Sequence, residues 1–131
     1  MIALDTNVLV RYLVEDDEPQ AARAVALIDS AVERKEALFV THIVVCELAW
    51  VLRSGYRRSK RDVVAAVRAL VSAAQLEFED GEEVRRALAR YEAGRGDLAD
   101  YLIGQRAVGR GCNRIATFDE ALHVEPEFFA P

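Results

Sequence analysis

Ile2-Ala3-Leu4-Asp5-Thr6-Asn7 reads as a short apolar strand that ends on a carboxylate and passes directly into a helix, Val8 to Val14. In an open parallel α/β sheet, a side chain at the carboxyl end of a strand stands where ligands usually bind. An Asp just before a helix is also a favoured N-cap, because its oxygen accepts a backbone N–H that the helix leaves unpaired. For Asp5 alone the cap is the simpler account. A chemical role for it depends on further acids reaching the same edge.

Outward from this stretch the strand-helix pattern repeats. Glu18-Pro19 opens an amphipathic helix to about Lys35, with Ala21, Val25, Ile28 and Val32 on the inward stripe. Leu38-Phe39-Val40 is a second strand, and Thr41-His42 offers a cap for a helix from Ile43 to about Ser54. That helix is apolar around its circumference except for Glu47, which predicts a largely buried helix carrying a buried carboxylate. Such a group needs a cation, a metal or a proton, since an isolated charge in a dry interior is very costly. A structural ion pair with an arginine, or a Glu that reaches solvent, is the alternative. An amphipathic helix from Arg61 to Ala74, a strand at Leu76-Glu77-Phe78 and a helix from Glu82 to Ala93 follow as scaffold, and Gly94-Arg95-Gly96 breaks the pattern.

The next helix begins at Asp97-Leu98-Ala99-Asp100 and runs to about Gly109, placing Asp97 and Asp100 together in its first turn. Capping explains Asp97 but not Asp100, which leads straight into the apolar Tyr101-Leu102-Ile103. The last strand is Arg114 to Thr117, followed by Phe118-Asp119 and a short helix or turn, Glu120 to Leu122. Alternating strands and helices predict an α/β fold with parallel strands, whose carboxyl ends share one edge when the crossovers are right-handed. Asp5 and Asp119 then come from strand ends, Asp97 and Asp100 from a helix start, and Glu47 from a helix that leaves the same edge.

Composition narrows the function. A chain of 131 residues predicts one domain over 1–131, burying roughly two-thirds of its unfolded surface without staples. Cys46 and Cys112 have no paired spacing, and His42 and His123 no metal-binding spacing. The N-terminus shows no secretory leader, and no apolar run is long enough to span a membrane, so the expected compartment is the cytoplasm. Net charge is −5, from 22 acidic against 17 basic residues, which excludes a protein that grips nucleic acid all along its surface. A nuclease whose acids hold a divalent cation remains open. Arg53, Tyr56, Arg57, Arg58, Lys60 and Arg61 form the densest basic segment. It suits RNA phosphates, with Tyr56 to stack on a base, or it simply favours a helix C-terminus.

Taken in order, Asp5-Thr6-Asn7, Glu47 in its apolar helix, Asp97-Leu98-Ala99-Asp100-Tyr101-Leu102-Ile103-Gly104 and Thr117-Phe118-Asp119 resemble the PIN-domain ribonucleases, and more narrowly the VapC-type toxins of bacterial and archaeal toxin–antitoxin systems. The resemblance covers nearly the whole chain. It implies a three-layer α/β/α domain with a short, mostly parallel central sheet flanked by helices. It also implies an endoribonuclease dependent on Mg²⁺, with Mn²⁺ able to substitute, which is a homodimer neutralised by a cognate VapB-type antitoxin. The implied catalytic acids are Asp5, Glu47, Asp100 and Asp119, with Asp5, Asp100 and Asp119 on the metal and Asp97, Asn7 and Thr117 as auxiliaries. Arg53, Tyr56, Arg57, Arg58 and Lys60 remain the candidate RNA contacts. An acidic pocket of this kind would also attract an arginine from the antitoxin's C-terminal segment.

The oxygen-rich set agrees with hard cations, which take carboxylates and keep several waters. Two other classes compete. An aspartyl-phosphate phosphatase would use Asp5 as nucleophile, but Asn7 stands two residues on, where that chemistry wants an acid, and no phosphate-cradling glycine loop is present. A non-catalytic partner-binding domain would use the acids only as caps and ion pairs.

Overall fold

A computed structural model describes residues 1–131, which divide into two compact units, Met1–Gly81 and Glu82–Pro131. The α/β class is as expected. No helix is long and apolar enough to cross a membrane.

The first unit is built on a three-stranded parallel sheet of β1 (Ile2–Ala3), β2 (Leu38–Val40) and β3 (Leu76–Phe78), in that order. Strand β2 is central, and its Leu38 and Val40 are fully buried. Helices α1 (Thr6–Val14) and α2 (Glu18–Arg34) connect β1 to β2, while α3 (His42–Trp50) and α4 (Lys60–Val71) connect β2 to β3. Local chemistry sets where they start. Asp5, Asp17, Thr41 and Ser59 each accept a backbone N–H from the first turn that follows, satisfying donors the helix leaves unpaired. Because the strands are parallel, Asp5, Thr41 and Glu79 all stand just past strand carboxyl ends on one edge of the sheet.

Three expectations are corrected in this unit. The buried stripe of α2 is Ala21, Ala24 and Ala31, whereas Val32 is 48% exposed. Small side chains let α2 come close to α1, and close packing outweighs the greater apolarity of the valine stripe. Helix α3 is not buried around its circumference: Val44, Val45, Leu48 and Ala49 face inward, while Ile43 (70%), Glu47 and Trp50 (67%) lie on an exposed stripe. These positions are spaced i, i+4, i+7, so Glu47 reaches solvent and pays no burial penalty. The helix expected to run unbroken to Ser54 widens over Val51–Gly55 into a π turn, closed by the Tyr56 N–H on the Val51 carbonyl at 3.0 Å.

The second unit holds most of α5 (Gly81–Ala93), then α6 (Leu98–Gly109), β4 (Ile115–Ala116), a 3₁₀ turn (Glu120–Leu122) and β5 (Phe128–Phe129). Strand β4 is not the last: β5 pairs with it in parallel, Ile115 opposite Phe128 and Ala116 opposite Phe129. A two-residue strand after Pro126 is too short to show alternation in sequence. Tyr101, only 1% exposed, organises the unit. Its hydroxyl accepts the Gly96 N–H at 3.1 Å and donates to Glu125 at 3.2 Å. Arg90 lies 5.4 Å over the Tyr101 ring and pairs with both Glu125 and Glu127. A Cβ at Gly94 would collide with the Tyr101 hydroxyl, and one at Gly96 with Leu122, so the α5–α6 turn needs glycine at both positions.

Burial alone would raise the Glu127 carboxyl, but the Arg90 hydrogen bond, a backbone bond and the arginine charge outweigh it and hold the pKa below the usual value. For an acid with a depressed folded pKa, the stability gained is present above its unfolded pKa and is lost as pH falls through the folded value. Arg90→Ala should therefore lower stability by about 1–2 kcal/mol near neutral pH. It should also flatten the acid-side loss below the ordinary glutamate range. Urea melts of both proteins across that range check the two effects together.

Candidate active site

The Asp5 carboxylate follows β1 and accepts the Thr6 N–H at 2.8 Å, so it is the N-cap of α1. Asp5 and Asn7 are both exposed, whereas Thr6 between them is buried. Across the same sheet edge, Glu79 accepts the His42 N–H at 2.9 Å and with Thr41 caps α3, the helix that carries Glu47. Glu79 was not singled out in the sequence, although it shows the same signal as Asp5, an acid just past an apolar strand.

In the second unit, Asp97, Asp100 and Asp119 are brought together. Asp97 is the N-cap of α6, and the Asp100 carboxylate turns back to accept the Asp97 N–H at 2.8 Å. Capping thus explains one Asp100 oxygen, contrary to the sequence expectation. It does not explain the electrostatics. The Asp100 pKa is raised above the usual aspartate value, chiefly by burial, with Asp97 and Asp119 adding like-charge repulsion against the lowering effect of the Asp97 N–H. Asp119 caps the 3₁₀ turn, accepting the Ala121 N–H at 3.0 Å, and its own N–H goes to the Thr117 hydroxyl at 3.1 Å. Thr117 is fixed in turn, its carbonyl 2.8 Å from a ring nitrogen of His123 and its N–H bonded to Phe129. Between them Phe118 is 87% exposed.

The basic segment is partly committed. The Tyr56 hydroxyl donates to Asp16 at 2.8 Å and accepts from Arg11 at 3.2 Å, and the Arg53 guanidinium bonds the Arg58 carbonyl at 3.0 Å. Arg53, Arg57 and Arg58 are exposed, and Lys60 is half-buried.

Residues 2–124 match the family profile of the PIN domain. The chain belongs to the PIN-domain family. With the family comes the α/β/α class expected from the sequence. This PIN domain is 25% identical over 118 residues to a VapC ribonuclease of Aquifex aeolicus (strain VF5), covering 90% of this chain and 87% of that protein.

The donors of this PIN domain suit a hard divalent cation. They are oxygens, and the half-buried Asp100 carboxylate, crowded by two acids, is the kind of group a cation relieves. No set of three or more His, Cys, Asp or Glu side chains forms a ready cage. Mg²⁺ keeps several waters and needs only one or two carboxylates, so its requirements are looser than a cage.

A raised folded pKa on an acid favours the protonated form in the fold, so the contribution to stability is present below the unfolded pKa and lost as pH climbs through the folded one. Asp100→Asn keeps an oxygen for the Asp97 N–H and removes the charge. The variant should melt higher than the parent near neutral pH in chelator, and the gap should close once pH falls below the ordinary aspartate range. Differential scanning calorimetry at the two pH values decides it, an equal gap at both being the contrary result.

Proposed function

We propose that this chain is a metal-dependent endoribonuclease of the VapC type, the toxin of a toxin–antitoxin pair, and that residues 1–131 act as one PIN domain. The observation that carries the reading is the match to the PIN family over residues 2–124, which spans all the acid motifs in order. The likeness to a protein named VapC ribonuclease supports the toxin class. The raised Asp100 pKa, set chiefly by burial and added to by Asp97 and Asp119, favours a catalytic over a purely capping role for the acids.

In this reading Asp5, Asp100 and Asp119 would hold Mg²⁺ or Mn²⁺ through the oxygens that their caps leave available. When bound, the ion supplies a Lewis acid for the phosphodiester and makes an attacking water more acidic. Glu47, exposed on α3, would serve as the general base. Asp97 stiffens the start of α6 behind Asp100, and Thr117 orients Asp119 through its hydroxyl. Asn7 offers its amide to water or substrate, and Arg53, Arg57, Arg58 and Lys60 contact RNA phosphates, with Tyr56 at their edge. The protein works in the cytoplasm as a homodimer and is silenced by a VapB-type antitoxin.

Purified protein should cut RNA with Mg²⁺ or Mn²⁺ and not in chelator. Asp5→Asn, Glu47→Gln and Asp100→Asn should each slow cutting by about a hundredfold or more. Gel assays on total RNA test this. Full activity in chelator sinks the metal, and a dead Asp97→Asn beside an active Asp100→Asn would exchange the roles of those two acids.

A further inference from the structure

Between α1 and α2 lies a groove of about 440 Å³ whose chemistry is opposite to that of the acids. Its polar lining is Asn7, Arg11, Gln20 and Arg23, over an apolar floor that includes Val8 and Leu27, and no carboxylate lines it. In a chain of net charge −5 this is an unusual concentration of donors. The two arginines differ in state. Arg11 is held in place, its guanidinium bonding Gln20 at 2.6 Å, Asp16 at 2.9 Å and Tyr56 at 3.2 Å. Asp16 largely offsets the Arg11 charge, so Arg11 acts as a fixed donor. Arg23 is exposed and makes no ion pair, so the uncompensated charge of the groove is its own.

We infer that the α1–α2 groove binds the sugar–phosphate backbone of single-stranded RNA, with Arg23 on a phosphate and Asn7, Arg11 and Gln20 as hydrogen-bond donors. The occupant follows from charge and shape. A guanidinium fork matches phosphate oxygens, the side-chain amides suit bases or sugars, and the apolar floor can take the flat face of a base. Two of the lining residues also adjoin residues of the nuclease reading. Asn7 lies two residues beyond Asp5, and Arg11 is hydrogen-bonded to Tyr56 of the basic segment. A strand lying in the groove would thus be led from the basic segment to the carboxylate after β1. This deepens the nuclease reading by naming where the substrate strand runs, and it rests on that reading for the direction of travel.

The test separates binding from cutting. Fluorescence anisotropy of a fluorescein-labelled, random-sequence single-stranded RNA is measured in chelator over a range of salt, for the parent, Arg23→Ala and Arg86→Ala. Arg86 is an exposed arginine of α5 outside the groove, and it controls for the loss of one charge. Arg23→Ala should weaken binding about tenfold. It should also reduce the slope of log affinity against log salt by about 0.7, the signature of one lost phosphate contact on a single strand. Arg86→Ala should change neither appreciably. Equal effects from the two variants overturn the groove, because only bulk charge would then matter. Arg23-dependent binding of a polyglutamate peptide, with RNA binding untouched by Arg23→Ala, overturns it in favour of an acidic protein segment. A parent that cuts RNA with Mn²⁺ while Arg23→Ala binds normally leaves the nuclease reading intact and removes the groove. Arg23-dependent binding by a protein that cuts nothing does the reverse.

Discussion

Three aspartates of the proposed site, Asp5, Asp100 and Asp119, each have one carboxylate oxygen engaged by a backbone N–H, at 2.8, 2.8 and 3.0 Å. That commitment is what the rest of the site depends on. A helix or turn N-terminus presents unpaired donors and the positive end of its dipole, so it holds an aspartate in one rotamer without a dedicated partner side chain. The capping oxygen fixes the side chain and the other stays available for a ligand. In sequence, cap and catalyst look like rival accounts of the same residue. In three dimensions the two roles are compatible, because the cap takes only one of the acid's oxygens.

Burial raises the Asp100 pKa, and the like charges of Asp97 and Asp119 add to it. The half-buried Asp100 carboxyl sits within reach of Asp97 and Asp119, and the glycine turn ahead of α6 is packed so tightly on Tyr101 and Leu122 that the helix start cannot readily drift away. The Arg90 network with Glu125 and Glu127 holds that same Tyr101 from the other side. Positive charge is kept to other places in the chain. Arg23 lines the α1–α2 groove without an ion pair, and Arg53, Arg57 and Arg58 are exposed around the end of the π turn.

The strand-helix skeleton was legible because it is written in local chemistry. Ile2-Ala3 and Leu38-Phe39-Val40 are short apolar strands, and Asp5 and Thr41 are the caps they imply. What escaped was decided by packing. Nothing in the apolar run of α3 says which third of it faces out, so Glu47 looked buried although Ile43 and Trp50 share its exposed stripe. The alanine stripe of α2 reads as weakly apolar, yet it is what packs. The engagement of Asp100 with the Asp97 N–H was hidden because an Asp three residues past an N-cap Asp does not have the usual Glu or Gln of a capping box. The partners of Tyr101 are up to 24 residues away in sequence, and such pairings leave no periodic trace.

The central claim is that acids from separate motifs serve one cation, and paramagnetic broadening tests it most directly. Substoichiometric Mn²⁺ is titrated into ¹⁵N-labelled protein, and amide signals are followed residue by residue. The account predicts that signals of Asp5, Thr6, Asp100, Tyr101 and Asp119 vanish together at the lowest Mn²⁺, and that Asp119→Asn protects all of them. Broadening confined to one of these motifs, or spread evenly over the acidic surface, would contradict it.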